Sequence, residues 1–216
     1  MKTKLVIFDL DGTLIDAYPA IIDSLNYTLR KLGMPAQGRS VICRAVGKGD
    51  IHLLKPFVRS RDLKKALKIY RRHHRISLLK GSRLFPGVRR LLSYLKKRGY
   101  KIAVASNRPT EFSLILIKHL KIKKYFDYIL CADRISRRKP HPQIINKIIK
   151  RFSVSPEETI YVGDMLIDIH AGKRAQVKVI AVPTGSSTID ELRKAKPDWL
   201  IKGIAHLQKL FSGVLS

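Results

Sequence analysis

Val6-Ile7-Phe8-Asp9-Leu10-Asp11-Gly12-Thr13-Leu14 is the stretch on which the fold turns: an apolar run stops at two carboxylates, a glycine and a hydroxyl. Leu5 to Phe8 is continuous and β-branched enough for a strand buried on both faces. The run alone also fits buried helix, but Gly12 favours a strand that ends in a sharp turn. Asp9 and Asp11 are two residues apart, so in extended chain both side chains leave on the same side. Like charges that converge there share a proton or a metal ion. The plainer alternative is an Asx-type turn, in which the carboxylates bond only backbone N–H groups.

Downstream, Ala17 to Leu32 carries apolar residues at Ile21, Ile22, Leu25, Leu29 and Leu32, one helical stripe, and Gly33-Met34-Pro35 stops it. From Ser40 to about Lys80 the pattern stays helical, with breaks at Gly47-Lys48-Gly49 and near Pro56. Arg83-Leu84-Phe85-Pro86-Gly87 is a turn-rich return, followed by a helix over Val88–Arg98 closed by Gly99. The texture then becomes alternating. Strands are expected at 101–105, 128–131, 159–162 and 178–182, and helices at 110–120, 142–151, 166–175 and 188–195. Ser155-Pro156-Glu157-Glu158 has the residues of a capping box before its strand. Such alternation implies right-handed crossovers and an α/β fold, a mainly parallel sheet between helical layers. The helical stretch after the first strand interrupts that rhythm as an insertion. The expected division is 1–16 and 82–216 as a Rossmann-like three-layer α/β/α core and 17–81 as a small inserted α-helical cap.

Composition narrows the classes of function. A chain of 216 residues with 45% hydrophobic content can bury a sizeable core. It holds no apolar run of membrane-spanning length. Met1-Lys2-Thr3-Lys4 leads straight into the first strand without a signal-peptide h-region, so a cytoplasmic location is expected. Cys43 and Cys131 are isolated thiols without ligand spacing, read as reduced packing residues. The net charge of +28 is the oddity. From Ile15 to Leu84 sixteen Lys/Arg stand against four Asp, and the rest of the excess is spread along the remaining chain. A dedicated nucleic-acid patch is more local than that, so nucleic acid is not the expected main partner.

Three further polar clusters end strands as Asp9 and Asp11 do: Ser106-Asn107, Gly163-Asp164 with Asp168 four residues on, and Lys139, pinned by Pro140 before a helix. In open parallel sheets ligands bind at the carboxyl ends of strands. Each cluster alone has an ordinary structural explanation; four at equivalent positions of one sheet point to a site.

With these motifs in order, Asp9-Leu10-Asp11-Gly12-Thr13-Leu14, Ser106-Asn107, Lys139-Pro140 and Gly163-Asp164 through Asp168, the chain resembles the haloacid dehalogenase superfamily of aspartate-nucleophile phosphohydrolases over nearly its full length. The insertion is similar to the helical cap of the phosphoglycolate phosphatase-like branch. The chain departs from the usual pattern at Ala17, where serine is common, and at Gln176, where glycine is common. The resemblance implies a Mg²⁺-dependent phosphatase of small phosphorylated metabolites, phosphoglycolate foremost. Asp9 is then the nucleophile that forms an aspartyl phosphate, and Asp11 the acid and base. Gly12, Thr13, Ser106 and Asn107 lie around the phosphate, with Ser106 and the N–H groups after it suited to phosphoryl oxygens. Lys139 supplies a point charge. Mg²⁺ is held by Asp9, the backbone carbonyl of Asp11, and Asp164, and Asp168 orients a metal-bound water or Lys139. A sugar phosphomutase or a pyrophosphatase uses the same machinery, and a non-catalytic phosphate- or nucleic-acid-binding module is the reading outside enzymes. Dehalogenation is disfavoured, because that activity lacks the second aspartate present here as Asp11. A monomer or homodimer is expected. Lys48, between two glycines of the insert, is expected to meet the substrate end opposite the phosphate.

Overall fold

The computed structural model of the chain describes residues 3–213. Met1 and Lys2 of the N-terminal stretch read above, and residues 214–216 of the expected core, lie outside the described residues. β1 (Leu5–Phe8) leads through β2 (Ile15–Asp16) into four helices, α1 (Tyr18–Lys31), α2 (Arg39–Ala45), α3 (Asp50–Leu54) and α4 (Leu63–Gly81), and β3 (Arg83–Leu84) brings the chain back. Then follow α5 (Val88–Lys97), β4 (Lys101–Ser106), α6 (Thr110–His119), β5 (Tyr128–Cys131), α7 (Gln143–Phe152) and β6 (Thr159–Gly163). The described chain ends with α8 (Leu166–Arg174), β7 (Lys178–Ala181), α9 (Ile189–Lys194), β8 (Trp199–Leu200) and α10 (Leu207–Ser212). Among the described residues no helix is long and apolar enough to cross a membrane.

Six strands form one parallel sheet in the order β5-β4-β1-β6-β7-β8. The chain winds outward from β1 through β4 to β5, returns beside β1 as β6, and winds out the other way. The reversal of strand order therefore falls between β1 and β6, where the carboxyl ends of strands open a crevice. Period-two alternation sends each strand's side chains into two layers. Val6 and Phe8 of β1, with Ile102 and Val104 of β4, join Leu91 and Leu92 of α5 and Phe112 and Leu116 of α6. Leu5 and Ile7, with Ala103 and Ala105, face Ile144, Ile145 and Ile148 of α7 and Ala171 of α8. The α/β/α sandwich expected from the sequence is thus present.

The insert leaves and returns through β2 and β3, which pair antiparallel as Ile15↔Leu84 and Asp16↔Arg83. The sequence reads the return as turn only, because a two-residue strand carries no periodicity. For the same reason β8, with two residues, lies beyond what patterning predicts. Ile21, Leu25 and Leu29 of α1 and Tyr70 and Leu78 of α4 share one buried apolar cluster with Phe8, Leu10, Leu14 and Ile15. The insert is therefore seated on the strand end and loop that carry the two aspartates. Gln176, at the position where the resemblance expects glycine, adopts φ 59°, a left-handed conformation that costs a side chain roughly 1–2 kcal/mol.

Gly172 of α8 shows how closely helix and sheet approach: a Cβ there falls 2.4 Å from Val179 Cγ2. Alanine at a helical glycine gains about 1 kcal/mol of propensity, but overpacking a core costs about 1–3 kcal/mol, and a β-branched valine cannot swing aside. Gly172→Ala is therefore expected to lower the urea midpoint at unchanged m-value; a raised midpoint contradicts this packing.

Candidate functional site

The loop after β1 is built from backbone first. Asp9 N–H donates to Val162 O at 2.9 Å, extending the pairing of β1 and β6 by one residue, while Leu14 and Ile15 N–H both return to Leu10 O at 2.9 Å. Gly12 sits at φ 85°, and a Cβ there falls 2.3 Å from Asp164 Oδ2, so the turn requires both the glycine's dihedral and its missing side chain. Thr13 Oγ1 donates to Asp164 Oδ1 at 2.7 Å. Asp164 Oδ2, fully buried, has no hydrogen-bond partner.

Lys139 is drawn into the same volume. Its ammonium lies 2.6 Å from Asp9 Oδ1, 2.8 Å from Asp168 Oδ1, 2.9 Å from the Tyr161 hydroxyl and 3.0 Å from Ala105 O. Tyr161 O–H donates in turn to Asp168 Oδ1 at 2.9 Å. The other Asp168 oxygen accepts N–H bonds from Asp164 and Met165 at the start of α8. Tyr161 is a site neighbour that sequence reasoning missed; its only signal is a polar tip within an apolar strand.

Ser106 and Asn107 end β4 beside these groups, both buried. Ser106 Oγ accepts the N–H of Arg108 at 3.2 Å. The Asn107 amide braces three segments: it donates to Gly47 O at 2.8 Å and Lys139 O at 3.1 Å and accepts from Lys139 N–H at 3.0 Å. Its side chain is engaged with protein backbone, so what it offers a phosphate is its own N–H. The Gly47–Gly49 loop descends over the crevice as expected, with both glycines lining it. A Cβ on Gly47, at φ 119°, falls 2.5 Å from Met165 Cε. Lys48, however, is exposed and absent from the lining. Only its carbonyl is used, accepting from Arg138 Nη1 at 3.1 Å. The substrate-facing role expected for Lys48 is corrected: with the loop pinned through the Gly47 and Lys48 carbonyls, that side chain lies at the surface.

The cation that does face the crevice is Arg108, which the sequence reading passes over as part of a helix entry. Its side chain is only 5% exposed. Nε donates to Asp11 Oδ2 at 2.7 Å and Nη2 to Asp11 Oδ1 at 2.8 Å. Nη1 lies 2.8 Å from Nε2 of His74 on α4. Together Asp9, Asp11, Ser106, Asn107, Arg108, Lys139 and Asp168 line a cavity roofed by Ile21, Val46, Gly47, Gly49, Leu53 and Tyr70. Asp164 lies beneath it, against Thr13.

Burial, with repulsion from Asp168 and Asp11, outweighs the attraction of Lys139 and raises Asp9 to about 7. Asp164 is likewise pushed well above the usual carboxylate range by burial and by Asp168 and Asp9. Burial opposes the Lys139 charge, yet Asp168 and Asp9 hold it well above the ordinary lysine value. One ammonium among three buried carboxylates leaves negative charge in excess. Ligand atoms of Asp9, Asp164 and Asp168 all lie within 4.8 Å of one another. With the unpartnered Asp164 oxygen, this all-oxygen set fits a hard divalent cation.

Residues 6–182 match the family model described as haloacid dehalogenase-like hydrolase. A phosphoglycolate phosphatase of Nitrosococcus oceani is 27% identical over 98% of this chain and 97% of its own. A phosphoglycolate phosphatase of Aquifex aeolicus is 30% identical over 92% and 95%. Among solved structures, a protein described as a predicted phosphoglycolate phosphatase from Haemophilus somnus superposes with a TM-score of 0.92 at 27% identity, covering 97% of this chain and 98% of its own.

The raised Asp9 has a consequence for stability. Between about 4, the unfolded value, and about 7 the folded chain binds more protons at Asp9 than the unfolded chain does. Its contribution is fully present below the lower value and is lost as pH rises through the upper one. In EDTA, the melting temperature is expected to fall across that window, and millimolar magnesium chloride to restore more of it at pH 7.5 than at pH 5. An equal magnesium effect at both values counts against a cation at these carboxylates.

Proposed function

Since the chain belongs to the haloacid dehalogenase-like hydrolases, and is a phosphatase of that family, we propose that it is a Mg²⁺-dependent hydrolase of small phosphomonoesters that works through an aspartyl phosphate on Asp9. The observation that carries this reading is the single buried constellation of Asp9, Lys139, Asp168 and Asp164 at the reversal point of the sheet.

Phosphate monoesters are dianions, so their hydrolysis needs charge neutralisation and in-line placement more than a strong base. Mg²⁺, held by Asp9, Asp164 and the backbone carbonyl of Asp11, supplies that neutralisation when bound. One Asp9 oxygen is fixed by Lys139, which orients the other for attack on phosphorus. As the Asp9 oxygen–phosphorus bond forms and the ester bond breaks, Asp11 gives its proton to the departing alkoxide. In the second half Asp11 takes a proton from a water, whose oxygen attacks phosphorus and expels the Asp9 carboxylate. Ser106 and the N–H of Asn107 are placed to meet the non-bridging oxygens, and Tyr161 keeps Lys139 and Asp168 in register. The insert, pinned by Asn107 and Arg138, excludes bulk water. The relatives' names favour phosphoglycolate as substrate.

With phosphoglycolate and Mg²⁺ the wild-type chain is expected to release inorganic phosphate and alcohol in equal amounts. Asp9→Asn is expected to lose roughly two to four orders of magnitude in kcat while keeping its melting transition. Substantial magnesium-dependent turnover by Asp9→Asn removes Asp9 as nucleophile. Phosphate migration on a hexose phosphate without net release makes the chain a mutase.

A further inference from the structure

Arg108 is held more elaborately than a helix entry requires. Its partner His74 is completely buried on α4, stacked on Tyr70 at 4.8 Å and edge-on to Phe112 at 5.2 Å. His74 Nδ1 lies 2.9 Å from Ser24 Oγ, and the Ser24 hydroxyl donates to Ala20 O at 2.7 Å. A hydroxyl has one proton, so Ser24 accepts from Nδ1–H, and Nε2 keeps a lone pair for Arg108 Nη1. The insert thus fixes the plane of a guanidinium that belongs to the β4–α6 turn.

Lys139 and Arg108 are the cations lining the cavity. Lys139 is surrounded by Asp9, Asp168, Tyr161 and Ala105. Arg108 instead presents a two-pronged fork to the cavity, occupied by Asp11 through both carboxylate oxygens. That occupancy conflicts with the role of Asp11, which must carry a proton toward the leaving oxygen. With both oxygens accepting from Arg108, it cannot turn one of them to the leaving group without breaking the fork.

Resting on the phosphatase reading above, we propose that Arg108 is the specificity-determining residue of the site: the carboxylate of an acid-bearing phosphomonoester replaces Asp11 on the Arg108 fork, and the freed Asp11 carboxylate takes up a proton from solvent, which it gives to the leaving oxygen and regains from the attacking water. The trade is one bidentate carboxylate pair for another, so it adds little to ground-state affinity. Its effect falls on turnover, because Asp11 is released only when a second carboxylate is present. A leaving group without an anion leaves Asp11 latched. Asp50, which also lines the cavity, already has a cationic partner in Arg71 Nε at 3.0 Å, and offers at most an acceptor to a hydroxyl.

The test compares 2-phosphoglycolate, glycerol 3-phosphate and phenyl phosphate in Mg²⁺. Wild type is expected to turn over phosphoglycolate with the highest kcat. Arg108→Gln removes the latch and the substrate contact together, so it is expected to change kcat/KM for phosphoglycolate by only about a few-fold and to raise that for phenyl phosphate by roughly 10- to 100-fold, the size of a charge-assisted pair that no longer has to be broken. Arg108→Lys, which keeps a charge in the buried position but not the fork, is expected to lose selectivity in the same direction. His74→Phe keeps a ring in the stack and removes the acceptor; it is expected to lower kcat for phosphoglycolate more than it raises KM. His74→Gln, whose amide oxygen still accepts, restores it. Equal losses on all three substrates in both Arg108 variants overturn the exchange, as does a wild-type preference for glycerol 3-phosphate. Wild type inactive on every ester refutes the phosphatase reading itself.

Discussion

The buried ammonium of Lys139 is the contact on which the site's geometry depends. It ties together the loop after β1 through Asp9, β4 through the Ala105 carbonyl, β6 through Tyr161 and α8 through Asp168. Desolvating a lysine is unfavourable, and here the offset comes from two carboxylates and two oxygen dipoles arranged around it. The arrangement works in both directions, because without the ammonium three carboxylates face each other in a region that excludes water. Removing one partner of such a group leaves uncompensated charge, which is why these positions are constrained together rather than singly.

Around that centre the structure uses backbone where side chains are also on offer. Gly47 and Gly49 let the insert come close enough for its carbonyls to be captured by Asn107 and Arg138. A carbonyl held in this way fixes the height of the roof without placing a charge in the cavity. Charged groups join insert and core elsewhere: Arg44 to Glu191 and Arg75 to Glu111 at the surface, and the Arg108 guanidinium to neutral His74 deep between α4 and the start of α6. Closure and recognition are thus carried by different residues, and Lys48 between the glycines is left at the surface.

The sheet was legible because its strands are long enough to show apolar runs and because each polar cluster follows one of them. Asp9, Ser106, Lys139 and Asp168 read correctly as neighbours for that reason: topology brings the ends of parallel strands together whatever the side chains are. What stayed hidden was direction. Lys48 and Arg108 are both cations beside a glycine break or a helix start, and nothing in their spacing says which one turns inward. That is decided by contacts distant in sequence, with His74 lying thirty-four residues from Arg108. β2 and β3 escaped because two residues make no pattern, although their pairing closes the base of the insert.

The large positive charge acquires a meaning only when separated from the cavity. Among the lining residues Asp9, Asp11, Asp50 and Asp168 outnumber Arg108 and Lys139, so the crevice by itself repels a phosphate dianion. Arg71 behind Asp50 reduces the imbalance without reversing it. A divalent cation at Asp9 and Asp164 would offset the remaining excess. Outside the crevice, leaving Arg108 aside, the segment Leu63–Thr110 contains fourteen Lys/Arg and no acid, most of them on α4 and α5. At long range such a surface attracts anions of every kind and raises their encounter rate. Discrimination among them has to occur inside, where water is excluded and a fork of fixed orientation separates one anion from another.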